Sequence, residues 1–381
     1  MTARRDADGG GSRMRVAGLV RKECWQIVRD PSSIAIAFGM PALLLLLFGF
    51  GVSLDAENVP VALVVDEPTA QAGRFAGALD GSRYFDLRRP VTMPEAIAMM
   101  EDGTVEGIVH LRDDFSARTR RPGGAPVQVI LNGTDANRAR LLQGYLQGAW
   151  QLWVADELRS RGRAFRPPVA IETQVWFNPE VRSRNFLVPG LVAIIMTLIG
   201  ALLTALVVAR EWQRGTMEAL LVTPVRVREL LLGKLLPYFA LGLGGLGVSV
   251  AMAVWVFDVP LRGSLGILLV TSSVFLLAAL GMGLLISTLT KDQFVAAQVA
   301  LLATFLPAFI LSGFVFDLAS APWAIRLISR AVAARYYVSI LHTVFLAGDV
   351  PRVLMANTLA LAVLAVIFLG LSRLLSRKRL E

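Results

Sequence analysis

Residues able to carry chemistry are few in this chain, and most are poorly placed for it. His110 is followed by Asp113 and Asp114, but a metal site needs more ligands at suitable spacing, and a lone histidine at the end of an apolar run reads as structural. Asn132-Gly133-Thr134 fits the glycosylation pattern, yet Asn-Gly after a strand is more simply a turn. Gly233-Lys234 lacks the upstream glycine of a phosphate-cradling loop, and no G-x-x-x-x-G-K-[ST] run occurs anywhere in the chain. Cys24 is the only cysteine, which excludes an internal disulfide and a cysteine-based zinc site. No catalytic residue, metal site or bound cofactor is therefore expected. One segment stands apart: Glu211-Trp212-Gln213-Arg214-Gly215-Thr216-Met217-Glu218-Ala219-Leu220-Leu221-Val222-Thr223-Pro224. Gly215 and Thr216 suit the opening of a short helix, and Glu218 would lie near the positive end of its dipole. Thr223-Pro224 closes it after about two turns, because the residue before proline is pushed out of helical conformation. A helix so short is unstable alone in water, so it must rest on lipid headgroups or dock in a groove of a partner.

The segment lies between elements that dissolve in lipid. Hydrophobic residues make up 55% of the 381 and the mean hydropathy is +0.59, too apolar for an ordinary soluble chain. Six charge-free apolar stretches are long enough to cross about 30 Å of hydrocarbon: residues 34–54, 186–209, 235–257, 264–289, 294–316 and 353–372. The expected fold is a multi-pass α-helical membrane protein with six transmembrane helices. Cations crowd one side of these spans, including Arg13, Arg15, Arg21 and Lys22 before the first and Arg210, Arg214, Arg226, Arg228 and Lys234 between the second and third. Lys291 and the tail 373–381, with its arginines and Lys378, join them. By the positive-inside rule both termini are cytoplasmic, as an even number of spans requires. A cleaved signal peptide is the rival for the first span, but the leader is long and no small-x-small pattern follows.

Residues 55–185 then form an extracytoplasmic domain. Sixteen Arg against seventeen Asp plus Glu between positions 55 and 184 make it nearly neutral. The net charge of +9 thus belongs to the cytoplasmic edge, facing anionic lipid, and a nucleic-acid partner is excluded. Alternating periods predict a mixed α/β domain: strands over 59–65, 84–87, 105–111, 127–131 and 171–177, helices over 69–79, 93–100 and 135–161, and a loop at 120–124. In the leader 1–33, a helix over 14–30 places Val16, Val20, Cys24, Ile27 and Val28 on one face and Arg15, Lys22, Gln26 and Arg29 on the other, with Glu23 intruding near the apolar side. Such a helix can lie in the membrane interface. Small residues crowd spans three and four, among them Gly242, Gly244, Gly245, Gly247, Gly281 and Gly283, and would let helices approach closely. Pro41, Pro189, Pro237 and Pro307 should kink or start spans. Residues 317–345, with Trp323, Tyr336 and Tyr337, are expected at the outer interface as a re-entrant pair of short helices.

The run E-W-Q-R-G-T-M-E-A-L-L-V-T-P, continued by Arg228-Glu229-Leu230-Leu231-Leu232-Gly233-Lys234, resembles the coupling-helix segment of type-2 ABC transporter permeases. Pro322-Trp323 and Arg335-Tyr336-Tyr337, with Gly348 following, are similar to that family's outer segment between the last two spans, and the leader resembles its interface helix. The likeness covers essentially the whole chain and points to the subgroup with a large extracytoplasmic domain after span one. It implies a bacterial inner-membrane permease that pairs with a second copy or a paralogue and binds a separate cytoplasmic ABC ATPase, which uses ATP and Mg. The coupling residues would be Glu211, Arg214, Gly215, Thr216, Glu218, Leu221, Thr223 and Pro224 within 211–224. The outer re-entrant motif would be Pro322, Trp323, Arg335, Tyr336 and Tyr337. A periplasmic membrane-fusion protein is a further partner the subgroup admits, and the expected function is export of an amphiphile, drug-like or of lipid or polysaccharide type. The competing expectation is a membrane scaffold or receptor whose extracytoplasmic domain binds a ligand without transport. An ion-driven carrier is disfavoured because the spans lack the buried acids and histidines such carriers use.

Overall fold

The computed structural model describes residues 3–51, 58–90, 92–119, 127–134, 136–160, 177–178, 182–215, 226–316 and 318–375. The chain divides into two compact units, one of residues 1–53 with 175–381 and one of residues 54–174.

The larger unit is helical. Helix α1 (Ala3–Val28) precedes α2 (Pro31–Gly51), the first of six helices long and apolar enough to cross a membrane. In chain order the remaining five are α7 (Ser183–Gln213), α8 (Val227–Trp255), α9 (Leu265–Thr290), α10 (Gln293–Leu311) and α13 (Pro351–Leu375). Between the last two come the short α11 (Trp323–Ser329) and α12 (Ala333–His342). Helix α7 is the core of this unit, buried along nearly its whole length. Its partner α9 comes close enough that a Cβ on Gly283 would fall 2.0 Å from the Ala201 carbonyl oxygen, and one on Gly200 would fall 2.8 Å from Ala279 Cβ. At that distance polar groups bond across the helices: the Thr204 hydroxyl donates to the Leu280 carbonyl at 2.7 Å, and the Ser287 hydroxyl accepts from the Ala209 amide at 2.8 Å. In hydrocarbon this packing and bonding replaces the missing hydrophobic drive between helices.

Two of the four prolines sit behind wide turns. One π-helical turn covers Ala35–Gly39 ahead of Pro41, and another covers Leu301–Phe305 ahead of Pro307. A proline removes one amide donor and crowds the carbonyl four residues back, and a single wide turn accommodates both faults without breaking the helix. Pro189 and Pro237 lie inside α7 and α8.

The smaller unit is a four-stranded sheet with helices on both faces. The strands are β1 (Val59–Val65), β2 (Phe85–Arg88), β3 (Gly107–Leu111) and β4 (Val127–Leu131), in the order β2-β1-β3-β4. Strand β1 pairs parallel with β2 and β3, and β4 is antiparallel to β3. The helices are α3 (Ala70–Asp80), α4 (Met93–Glu101), the short α5 (Phe115–Arg118) and α6 (Ala136–Ser160). Side chains of β1 alternate as a pleated strand requires. Val59, Val61 and Leu63 join Phe75, Leu79, Leu142 and Trp153 on one side, while Ala62 and Val64 meet Ala96 and Ile108 on the other. Both faces are covered, which is why β1 reads as an unbroken apolar run. Thr69 and Thr92 cap α3 and α4 by accepting from the Ala72 and Glu95 amides. The strand expected at 171–177 and the loop at 120–124 lie outside the described residues, apart from Phe177 with its φ of 70° and so not extended.

The leader helix needs a correction. Cys24 and Val28, assigned above to its apolar face, are exposed, and the side turned inward carries buried Glu23 and Ile27 with half-buried Val16, Leu19 and Val20. The helix is rotated because α1 packs on α8, where Leu19 fits against Gly233 and Glu23 meets a cation. Tertiary partners outweigh the local pattern.

Candidate coupling site

The segment 211–224 has two roots, the end of α7 and the start of α8. Helix α7 runs past the expected end at 209 to Gln213, and Gly215, at φ 67°, takes the left-handed conformation that ends such helices. Gly215 therefore serves the helix before it. Thr216, Glu218, Leu221, Thr223 and Pro224 lie outside the described residues. Helix α8 likewise begins at Val227, eight residues earlier than the apolar stretch.

These extensions bring charged residues into the protein. Lys234 on α8 donates to Glu23 Oε1 on α1 at 2.9 Å and to Glu211 Oε1 on α7 at 3.1 Å. Its side chain is 3% exposed, those of Glu23 and Glu211 2% and 7%. Lys22 adds a second cation, 3.1 Å from Glu211 and 3.9 Å from Glu23. Two lysines thus neutralise two carboxylates from three helices. Desolvating isolated charges would be prohibitive, and their mutual pairing makes the burial tolerable.

A second contact ties α1 to α8, about two turns back along α1 and about one turn back along α8. Arg15 on α1 makes a two-pronged contact with Glu229 on α8, Nε to Oε2 at 3.1 Å and Nη2 to Oε1 at 2.9 Å. The planar guanidinium matches the carboxylate edge, so this pair fixes direction as well as distance. Glu229 Oε2 also accepts from the Arg226 amide at 3.0 Å, satisfying a first-turn donor of α8. Between the two ion clusters lies Gly233, where a Cβ would come within 2.6 Å of Leu19 Cβ.

Two further contacts hold the α7 root. Arg210 Nη1 donates to Asp30 Oδ2 at 2.8 Å, linking α7 to the start of α2. Burial works against the Asp30 carboxylate, but hydrogen bonds from Ser32, Arg210 and Ser33 and the Arg210 charge outweigh it and hold its pKa down at about 2. Trp212 carries the Lys291 ammonium over its ring at 4.8 Å, and Gln213 Nε2 donates to Asp292 Oδ2 at 2.9 Å. Asp292 also caps α10, accepting from the Val295 amide at 2.9 Å. The short α9–α10 turn is thereby fastened to the same root.

The outer motif is a separate cluster. Pro322 precedes α11, and Trp323 is 72% exposed. Arg335 donates to the Ser329 hydroxyl and the Arg326 carbonyl, and the Tyr336 hydroxyl donates to the Arg330 carbonyl at 2.9 Å, so both brace the turn between α11 and α12. Tyr337 anchors α12 to α9, its ring stacked on Phe275 at 3.7 Å and its hydroxyl 2.8 Å from that of Ser272. His342, which sequence reasoning passed over, bonds the Phe186 carbonyl on α7 through Nε2 at 2.8 Å. His110 pairs with Asp66 at 2.8 Å at the end of β3, and no metal-ligating cluster occurs among the described residues.

Sequence reasoning also misses the pairing of the inner cluster: Arg15 and Lys22 stand there on the polar face of the leader helix, Glu229 and Lys234 in the coupling-segment pattern, Arg210 among the topology-marking cations, and Asp30 is unassigned. Glu23 on the apolar face was the one visible signal. A carboxylate among apolar neighbours is costly unless a cation meets it.

Comparison with known proteins shows the family. A family model described as "ABC-2 family transporter protein" matches residues 31–374. The chain is 47% identical over 368 residues to the "Probable multidrug ABC transporter permease YbhS" of Escherichia coli (strain K12), covering 96% of this chain and 98% of the relative. It is 28% identical over 338 residues to "Probable multidrug ABC transporter permease YbhR" of the same organism, covering 87% and 90%. At 20% identity over 289 residues it also matches "Linearmycin resistance permease protein LnrN" of Bacillus subtilis (strain 168), covering 68% and 73%.

Proposed function

The chain belongs to the ABC-2 transporter family, and from that premise we propose that it is the permease half of an ATP-driven exporter in the bacterial inner membrane, moving an amphiphile outward. Its fold is that of a membrane permease with six apolar helices. Energy enters from a separate cytoplasmic ABC ATPase that engages residues 211–224, with Glu218 and Arg214 among the contact residues. A second copy or paralogue completes the pathway, and both termini face the cytoplasm, as the distribution of cations requires. The names of the E. coli and B. subtilis relatives favour a drug-like cargo.

The observation that carries this reading is the four-charge cluster of Lys22, Glu23, Glu211 and Lys234, in which Glu23, Glu211 and Lys234 are buried and Lys22 is half exposed. Both roots of the segment, on α7 and α8, are bound through it to α1. A push on the segment cannot displace one root alone without separating buried charges, so the load passes to three helices together. Vesicles holding the chain with its co-purified ATPase provide the test, with ethidium efflux and ATP hydrolysis followed in parallel. Glu218→Ala and Gly215→Val should abolish both efflux and cargo-stimulated hydrolysis while insertion persists. Efflux that continues when vanadate stops hydrolysis would remove the basis of the proposal.

A further inference from the structure

Inside the helical unit a cavity of about 220 Å³ lies among α7, α9, α10, α13 and the turn between α11 and α12, and no residue of the coupling segment or the outer motif lines it. Its inner wall is Ala201, Ala278 and Ala279, none more than 2% exposed. Alanine on two facing helices leaves the space unfilled. At the opposite side Ala303, Ile328 and Ala331 line it and are exposed. Ala303 belongs to a membrane-crossing helix, so this mouth opens sideways into lipid.

The lining selects the guest. Apolar cavities of about 150 Å³ stay dry and take up benzene. An unfilled void forfeits the dispersion contacts of its lining atoms, and a hydrocarbon entering from lipid restores them. Two hydroxyls line the space, but Thr197 donates to the Ala193 carbonyl at 2.7 Å and Thr304 to the Ala300 carbonyl at 2.6 Å. Sites for drug-like molecules carry a few placed polar groups, and this cavity has no donor to spare. It therefore suits a plain hydrocarbon chain.

Charge beside the mouth completes the ligand. Arg326 and Arg330 flank Ile328 in the chain, are exposed, and make no ion pair among the described residues. Arg335, by contrast, is spent on the Ser329 hydroxyl and the Arg326 carbonyl. Trp323 and Leu327 on α11 are 72% and 54% exposed, as befits a helix lying at the membrane surface. Guanidinium groups at that level meet lipid phosphates, which they bind with paired hydrogen bonds.

We infer that the cavity and its two arginines hold an anionic phospholipid, with one acyl chain behind Ala303 and Ile328 and the phosphate met by Arg326 and Arg330. The lipid is a resident of the fold and not cargo, so the site stands whether or not the chain exports anything. Only its assignment to the outer leaflet rests on the topology proposed above.

The test uses the full chain in nanodiscs of phosphatidylcholine. Phosphatidylglycerol or phosphatidylcholine, each with a diazirine midway along one acyl chain, is added in equal trace amount and photolysed, and adducts are located by peptide mass spectrometry. Adducts on buried Ala278 or Ala279 report the cavity, whereas those on Leu302 and Leu306, 63% and 50% exposed, report surrounding lipid. Phosphatidylglycerol should mark the cavity at least about fivefold more than phosphatidylcholine, the effect of roughly one arginine on an anionic headgroup. Replacing both arginines, Arg326→Gln with Arg330→Gln, should remove that preference. Ala303→Phe and Ala331→Phe, both at exposed positions, should each remove most of the cavity adduct, and an unchanged thermal unfolding midpoint shows which variants are folded. Marking of Leu302 and Leu306 alone, or equal cavity yields from the two lipids, overturns the inference. So does a preference that survives loss of both arginines, or a cavity adduct untouched in a folded Phe variant.

Discussion

Lys234 is the residue on which the inner cluster turns, because it is the buried cation and hydrogen-bonds both Glu23 and Glu211, whereas Lys22 is half exposed and stands 3.9 Å from Glu23. Lys234→Met leaves two buried carboxylates short of a cation and should cost about 3–5 kcal/mol, the range for removing one member of a buried ion pair. In a Glu23→Gln background the same change should cost less, since only Glu211 is left to compensate. A double-mutant cycle by denaturant unfolding in detergent measures the difference, and strictly additive costs would show that the contact contributes nothing. Asp30 gives a pH test. Its pKa is lowered from 3.8 to about 2, so its contribution is complete above the unfolded value and disappears as pH falls through the folded one. Asp30→Asn should therefore be less stable than the parent at pH 7, with the gap closing between about pH 4 and pH 2; a gap that stays constant with pH would assign the loss to the hydrogen bonds alone. At this scale sequence showed that Glu23 was out of place but not what it faced. Its partner lies 211 positions away, and no local pattern encodes that distance.

Helix contacts behave differently, because small residues announce close packing without saying where. Gly283 and Gly245 both lie against backbone, the Ala201 and Ala37 carbonyl oxygens standing 2.0 and 2.2 Å from a Cβ placed there. Backbone cannot rotate aside, so Gly283→Ala and Gly245→Ala should each destabilise by about 1–3 kcal/mol, the usual cost of overpacking. Gly247, two residues from Gly245 on the same helix, has nothing within 4 Å. Gly247→Ala should be neutral or stabilise by up to about 1 kcal/mol. Thermal unfolding of the three variants in one detergent decides it, and equal losses would mean that the glycines act through helix propensity rather than contact. The glycine-rich run was legible as packing. Which glycine touches a neighbour depends on helix rotation, and helices apolar all round carry no periodic signal to fix it. The leader shows the converse: its pattern points to one face, and contact with α8 selects another.

For the whole molecule, the proposed topology makes a labelling prediction. Cys24 is exposed on α1 and Leu152 is exposed on α6. In intact spheroplasts a membrane-impermeant maleimide should leave Cys24 unlabelled until the membrane is permeabilised, while Leu152→Cys in a Cys24→Ser background should label at once. Immediate labelling of Cys24 would invert the arrangement. Sequence by itself determined the class of this protein: six apolar stretches, the α/β pattern between the first two, and the polar segment around Gly215 all follow from local composition and period. Those signals are local because lipid and the pleated strand impose their demands residue by residue. Only the tertiary structure decided how the segment is held. The Lys22, Glu23, Glu211 and Lys234 cluster, the Arg15–Glu229 clamp and the rotation of α1 depend on side chains far apart in the chain meeting, so that the buried charges of Glu23, Glu211, Glu229 and Lys234 find partners that make their burial tolerable.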